Sequence, residues 1–354
     1  RWAASDPLEP LVNRLLMPGH FDEPQPPTEE HLLVSIEPWA PASATEAELQ
    51  QAFGLLVNAH YRTTPGDLRQ WLDDPAAVTW VARSGGVIVG VLWATREGGL
   101  SEALAQQVSV GKRRLRGHLL AQSLAHHGGD AEAATLDLLR VVRVAVATGY
   151  RRQQIGQQLV SAVRNYARSR DLDALGTSYG GEADLLAFWE RCGLQLVRVG
   201  IQPEASTGEY AVQMLTGLSA TGEALQRRLS SRFAGHWPTL LPVVWPEMDP
   251  VLVLALTAGL PARALSAEDL RELSIFAAGG RGFELTLPAL KRLSCSHGAA
   301  RSLLAQEQGP VWVRAILQNQ GWDNLRKAAH VQGRRDGEQA LRTLTTRLLA
   351  GRPA

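Results

Sequence analysis

The turn Thr148-Gly-Tyr-Arg-Arg-Gln-Gln-Ile-Gly-Gln157 has the residue types that hold a phosphate. It follows an apolar, β-branched run, Leu136-Asp-Leu-Leu-Arg-Val-Val-Arg-Val-Ala-Val-Ala147, which predicts a buried strand. It leads into a segment with Ile155, Leu159, Val163 and Ala167 at fourfold spacing, which predicts an amphipathic helix. The first N–H groups of such a helix have no partner within it, and its dipole end is positive. Strand, basic turn and helix therefore form an anion site, to which Arg151 and Arg152 add charge. Two further groups could do chemistry. His60 and Tyr61 sit where Pro65 ends one helix and Gly66-Asp67 starts the next. Lys112, Arg113, Arg114 and Arg116 put four cations into five residues, a pattern suited to phosphate contacts.

The rest of the chain must position these groups. A helix is expected over Thr45–His60, with Leu49, Phe53, Leu56 and Val57 on one face. Val78–Ala94 reads as a β-hairpin about Ser84-Gly85-Gly86. An extended segment comes next, then the central strand and helix, and a parallel strand over Asp173–Tyr179. After these come a helix over Leu185–Gly193 and two closing strands, Leu194–Val199 and Tyr210–Leu215. That order implies one mixed central sheet flanked by helices, an α/β fold. From Ser219 onward helices dominate. Thr221–Phe233 has Leu225, Leu229 and Phe233 on one face, and Ser266 caps a helix with acidic residues in its first turn.

Composition sets the bounds. A chain of 354 residues with 45% hydrophobic content suggests two or three globular domains. Cys192 and Cys295 give neither a disulfide framework nor a zinc pattern, and Cys192 reads as packing. With no membrane-length apolar run and no secretory signal, a cytoplasmic location and no membrane partner are expected. Net charge is +1 but unevenly spread. Residues 221–354 carry 17 Lys and Arg against 11 Asp and Glu, whereas the remainder carries 19 against 24. The basic C-terminal third suits a polyanion. Its candidate phosphate contacts are Arg227, Arg228, Arg232, Lys291, Arg292, Arg326, Lys327, Arg334 and Arg335. Residues 1–35 do not read as a domain: a short apolar helix, Leu11–Met17, leads into a Pro/Glu/Gln linker at Asp22–Glu30.

The element order resembles the GNAT acetyltransferase fold. Arg151-x-x-Gln154-x-Gly156 is similar to the GNAT pyrophosphate loop, and Phe188-Trp-Glu-Arg-Cys-Gly-Leu194 to a GNAT helix end. Several collinear stretches resemble more narrowly the bacterial tRNA(Met) cytidine acetyltransferase family (TmcA). They are Ala59–Leu68, Arg116–Leu124, Ala133–Leu136, Arg143–Val146, Phe188–Gly193 and Glu204–Gly208. Leu265–Leu273 adds a looser match in the tail.

That resemblance implies acetyl transfer from acetyl-CoA to the exocyclic amine of cytidine, giving N4-acetylcytidine at the wobble position of elongator tRNA(Met). The backbone of Val144, Ala145 and Val146 would face the pantetheine arm. Arg151, Arg152, Gln153, Gln154, Ile155, Gly156 and Gln157 would hold the pyrophosphate. Asp184, where the family has Glu, and Arg191 would lie at the acetyl-CoA site. His60 would accept a proton or orient the cytosine, and Tyr61 would contact the base. Gln154 replaces the first glycine of the family loop. The resemblance also implies an upstream ATPase module, and only that module would use ATP, in cis or in trans. No Gly-x-x-x-x-Gly-Lys-Ser/Thr occurs in the sequence. Residues 1–35 are accordingly expected to be a remnant of that module and a linker. Residues 36–218 are then the acetyltransferase domain and 219–354 a helical, basic tRNA-binding tail. Two other readings stay open from the residues alone: a GNAT enzyme acting on a protein or small amine, and a non-catalytic RNA-binding relative.

Overall fold

The computed structural model describes Pro24 and residues 33–59 and 65–351, which fall into two compact units. The first runs to Ser178 and takes in Thr216–Glu223; the second comprises Tyr179–Leu215 and Ala224–Ala354.

In the first unit, β1 (Val34–Trp39) is followed by α1 (Glu46–Ala59) and α2 (Pro65–Asp73). Then come β2 (Ala77–Ser84), β3 (Val87–Gly98), α3 (Glu102–Ser109), α4 (Leu119–His126), β4 (Asp137–Val146), α5 (Ile155–Ser169) and β5 (Ala174–Gly180). The sheet order is β1-β2-β3-β4-β5. The first four strands are antiparallel, while β4 and β5 run parallel, so the sheet is mixed as expected. The β2–β3 turn has left-handed φ at both Gly85 and Gly86, the conformation that matches the twist of a tight hairpin. Helix α5 buries Ile155, Leu159, Val160, Val163 and Ala167, and its Tyr166 packs edge-on against Trp80. Trp71 anchors α2: it lies among Trp39, Phe53 and Trp93 and donates its indole N–H to Thr79 Oγ1 at 2.8 Å.

Three elements differ from expectation. Val34 and Ser35, read as linker, belong to β1 and pair with Ser84 and Arg83 of β2. The segment expected to be extended between hairpin and central strand instead forms α3 and α4, each only 8 residues long. Helices this short form when packing fixes them. Ala105 and Val108 of α3 join Ala125 of α4 and Ala134 in one buried cluster. Glu97, fully buried at its carboxylate, completes the attachment. Its Oε2 accepts the backbone N–H of Leu120 at 2.7 Å and of Ala121 at 3.2 Å, and its Oε1 pairs with Arg140 of β4.

The second unit holds α6 (Ala183–Arg191) and the antiparallel pair β6 (Gln195–Pro203) and β7 (Tyr210–Gly217). The remaining helices are α7 (Ala220–Val244), α8 (Pro250–Ala258), α9 (Ala267–Ala277), α10 (Phe283–Ser294), α11 (Ala299–Leu304), α12 (Gly309–Trp312), α13 (Trp322–Lys327) and α14 (Arg334–Ala350). Ser266 and Asp269 form the full capping box of α9. Trp245 donates its indole N–H to the Gly200 carbonyl at 2.8 Å, tying the helical tail to β6, and Trp237 of α7 donates to Thr257 of α8 at 3.0 Å. Among the described residues no helix is long and apolar enough to cross a membrane.

Removing the Glu97 carboxylate strands the Arg140 charge and uncaps α4. Glu97→Ala should therefore cost about 3–5 kcal/mol. Denaturant titration followed by tryptophan fluorescence should show this as a lower midpoint, with Glu97→Gln intermediate; an unchanged midpoint would disprove the coupling.

Candidate functional site

Strand β4 changes character halfway along. Trp93 of β3 faces Arg143 and Ala94 faces Val141, so Val142 is an extra residue, a β-bulge. The parallel register with β5 ends at the same place, at Val141↔Thr177, where the Thr177 hydroxyl donates to the Val141 carbonyl at 3.3 Å. Beyond the bulge β4 stays paired with β3 through Val144↔Leu92, Ala145↔Val91 and Val146↔Gly90. Backbone groups alternate between the two edges of a strand, and Ala147 donates toward β3, so on the opposite edge Val144 and the N–H of Val146 are left to offer to a linear, amide-bearing molecule.

The strand then delivers the chain to the turn. Ala147 is buried, and its carbonyl accepts the N–H of the buried Tyr150 at 2.9 Å. Arg151 folds back to donate Nε–H to the Val146 carbonyl at 3.0 Å, fixing its guanidinium at the strand's exit. Arg152 and Gln154 both adopt left-handed φ, 62° and 63°. Gln154 is the N-cap of α5, yet makes no side-chain cap, and the first turn holds no acidic residue. Arg151 to Gln154 are exposed, while Ile155 is buried. The N–H groups of Ile155, Gly156 and Gln157 therefore open toward a cationic, acid-free mouth, an arrangement that takes an anion. The left-handed φ of Gln154 also explains physically why glycine suits that position in the related loop.

The other expected groups fall in three places. His60 and Tyr61 lie outside the described residues. The helix that comes after them is tied to the donor strand, however: Asp67 of α2 pairs with Arg143 of β4 at 3.1 Å, with side chains 26% and 13% exposed. Asp184 stands in the first turn of α6 and Arg191 at its end, both in the second unit, whereas the turn after β4 is in the first. Lys112, Arg113, Arg114 and Arg116 are all exposed on the loop between α3 and α4.

That loop is rigid. Gln122 accepts the N–H of Leu115 and donates to its carbonyl, both at 2.6 Å, while the Leu115 side chain packs on the α3–α4 cluster. Its cations differ from most arginines nearby. Arg83, Arg96, Arg140 and Arg143 are each matched by a carboxylate. Among the described residues none of the loop's four cations has an acidic partner, and Arg113 bonds only the amide of Gln107. In the tail, Arg292 is held by Asp269 and Arg334 by Glu284 and Glu338, which neutralises two of the expected contacts. Arg227, Arg228, Arg232, Arg326, Lys327 and Arg335 are exposed.

Other reactive groups are excluded by their surroundings. Burial, with the Glu190 carboxylate, raises the Tyr179 phenol far above its ordinary value, and its hydroxyl rests on Met214 Sδ at 3.1 Å. It is a poor proton donor. Burial pushes the Cys295 thiol up to about 11, and Cys192 is buried. Among the described residues no cluster could hold a metal ion.

Comparison with known proteins gives a family assignment for each part. A GNAT acetyltransferase 2 family model matches residues 51–171 and 165–219, and a tRNA-binding domain model matches 222–352. The tRNA(Met) cytidine acetyltransferase TmcA of Yersinia pestis is 39% identical over 298 residues, covering 83% of this chain and 42% of that protein. The TmcA of Photorhabdus asymbiotica is 34% identical over 354 residues, covering 98% of this chain and 50% of that protein. The chain thus spans about half the length of the curated relatives it matches. Among solved structures, the ribosomal-protein-S18-alanine N-acetyltransferase from Escherichia coli is 14% identical with a TM-score of 0.36, covering 53% of this chain and 95% of that one.

A left-handed non-glycine residue costs about 1–2 kcal/mol, of which glycine's greater unfolded entropy returns about half. Gln154→Gly should therefore raise thermal stability by about 0.5–1 kcal/mol, measured as a small rise in Tm. A fall in Tm would mean that the Gln154 side chain makes a stabilising contact.

Proposed function

Because the chain belongs to the tRNA(Met) cytidine acetyltransferase family, we propose that it transfers the acetyl group of acetyl-CoA to N4 of the wobble cytidine in elongator tRNA(Met). The observation that carries the proposal is the half-paired strand β4 running into an uncapped, acid-free helix N-terminus flanked by Arg151 and Arg152. A pantetheine chain with a pyrophosphate at its end has amides for the first and charge for the second. The fit is chemical as well as electrostatic: the α5 N–H groups donate, and the exposed Arg151 is anchored through Nε, with no acidic partner among the described residues.

Acetyl-CoA supplies an activated acyl thioester. The cytidine amine is a weak nucleophile, because its lone pair is delocalised into the ring. Positioning therefore carries much of the catalysis. In the reaction the amine nitrogen bonds the acetyl carbon, the carbon–sulfur bond breaks, the amine loses a proton, and the departing thiolate gains one. We assign the amine proton to His60 and contact with the base to Tyr61. The Asp67–Arg143 pair supports that assignment, since it joins the helix that begins four residues beyond Tyr61 to the strand carrying Val144–Val146. Val144–Val146 hold the pantetheine arm and residues 151–157 the pyrophosphate. An unpaired wobble base is reached at small unstacking cost. The basic loop Lys112–Arg116 and the tail hold the tRNA backbone. Residues 36–218 act as the transferase domain and 219–354 as the tRNA-binding tail, in the cytoplasm. Any ATP-driven step belongs to the upstream ATPase module, in cis or in trans.

Two measurements test this reading. Calorimetric titration should show saturable acetyl-CoA binding, weakened about 10-fold by Arg151→Ala through loss of a charged hydrogen bond. No binding at millimolar cofactor would end the transferase reading. His60→Ala should lower kcat for tRNA acetylation about 100-fold or more while leaving the acetyl-CoA Kd unchanged. An unaltered kcat would remove His60 from the proton path.

A further inference from the structure

Beside the basic loop lies a feature that the acetyl-transfer chemistry does not use. His126, the last residue of α4, and His127 are both exposed, and their rings pack edge to face with centroids 4.6 Å apart and planes at 60°. Exposed adjacent imidazoles usually diverge into solvent; these are held. His126 Nδ1 lies 2.9 Å from the Ser109 carbonyl. A carbonyl only accepts, so Nδ1 carries the proton and Nε2 is left free to accept in the neutral ring. The ring also lies over Gly111, where φ is +76° and an added Cβ would come within 3.0 Å of His126 Cε1. The glycine thus supplies both the left-handed turn and the room. Val110 next to it is 54% exposed, and Lys112, Arg113, Arg114 and Arg116 continue the same loop.

We propose that the His126–His127 pair is a stacking platform for an unpaired nucleobase of the RNA whose phosphates the Lys112–Arg116 loop holds. The proposal rests on the RNA reading above and specifies which RNA it fits: a single-stranded or loop segment, not a helix. The chemistry argues for that class. Cations without carboxylate partners select a polyanion but cannot tell RNA from any other. A fixed pair of aromatic rings next to an exposed aliphatic adds what an unstacked base needs, a π-face and an apolar edge. In a paired helix the bases are stacked on one another and cannot reach such a platform. The clamp of Gln122 on Leu115 matters here, because it ties the basic loop to the same helix that ends in His126.

The test uses the full chain and two fluorescein-labelled probes, an RNA hairpin with an anticodon-type loop and a blunt RNA duplex of equal length. His126→Ala with His127→Ala should weaken hairpin binding by roughly 5- to 100-fold, leave the duplex unaffected, and leave the salt dependence unchanged. His126→Phe with His127→Phe should retain hairpin affinity, which guards against a folding defect. The proposal fails if the alanine pair binds the hairpin like the parent, or weakens both probes equally. It also fails if polyglutamate displaces the hairpin as well as unlabelled RNA does, which would mark a generic acidic-polymer surface. The underlying reading is tested separately. Arg113→Gln with Arg114→Gln should lower the slope of log affinity against log salt by about 1.4 for the hairpin. An unchanged slope there would overturn phosphate contact by this loop, whatever the histidines do.

Discussion

The bulge at Val142 is the constraint on which the donor site depends. A parallel strand in the middle of a sheet normally spends its backbone groups on both neighbours. Here the pairing with β5 stops at Val141, and the next residues of β4 are bonded on the β3 side alone. Backbone donors and acceptors that leave a ladder need partners. A bulge makes this tolerable because the strand turns there, and the burial pattern records the change: Leu138–Val141 are buried, then Val142, Arg143 and Val144 are only partly so. The cost of the broken ladder is offset on the other side by the long register of β3 with both β2 and β4.

The turn at the strand's exit obeys the same logic. Two left-handed residues, Arg152 and Gln154, are unfavourable for side-chain-bearing residues and would relax if the loop were free. They do not, because the buried Tyr150 precedes them and the buried Ile155 comes after, so both ends of the turn are pinned to the core. The turn is therefore over-determined by packing, and its N–H groups stay aimed outward. The hydrophobic face of α5 is thus part of the anion site: without Ile155, Leu159 and Val163 in the core, nothing would hold the helix N-terminus at the strand's exit.

Much of this was legible in the sequence, though unevenly. The apolar run over 136–147, the fourfold spacing from Ile155, the Gly85-Gly86 turn and the Ser266 cap each have a local cause, and each element formed where its cause lay. The bulge was not legible, because Val141-Val-Arg-Val144 is uniformly β-forming and only the two flanking strands decide where register slips. Helices α3 and α4 were illegible for a similar reason. They are too short for periodicity to declare them, and the start of α4 is fixed by residues some twenty positions away, Glu97 accepting the Leu120 N–H and Gly98 donating to His118. The basic loop was legible as charge; its anchoring at Leu115 by Gln122 was not. Nor was the difference between matched and unmatched cations, which spacing alone cannot reveal.

That difference bears on how one near-neutral chain can address polyanions. With 36 basic and 35 acidic residues, a random pairing would leave little field anywhere. The fold instead spends several carboxylates on half-buried and buried arginines of the first unit. Glu97 meets Arg140, Asp67 meets Arg143, and Glu37 and Glu48 together meet Arg83, whose side chain is 18% exposed. Each such pair consumes an acid that could otherwise shield a surface cation. Lys112, Arg113, Arg114 and Arg116 on one loop, and Arg151 and Arg152 on another, are left facing solvent. Local fields within a screening length of about 8 Å are set by neighbours rather than by net charge. Neutrality overall is thus compatible with two strongly cationic mouths. The internal pairs that tie β3, β4 and α2 together hold four carboxylates that therefore do not reach those loops.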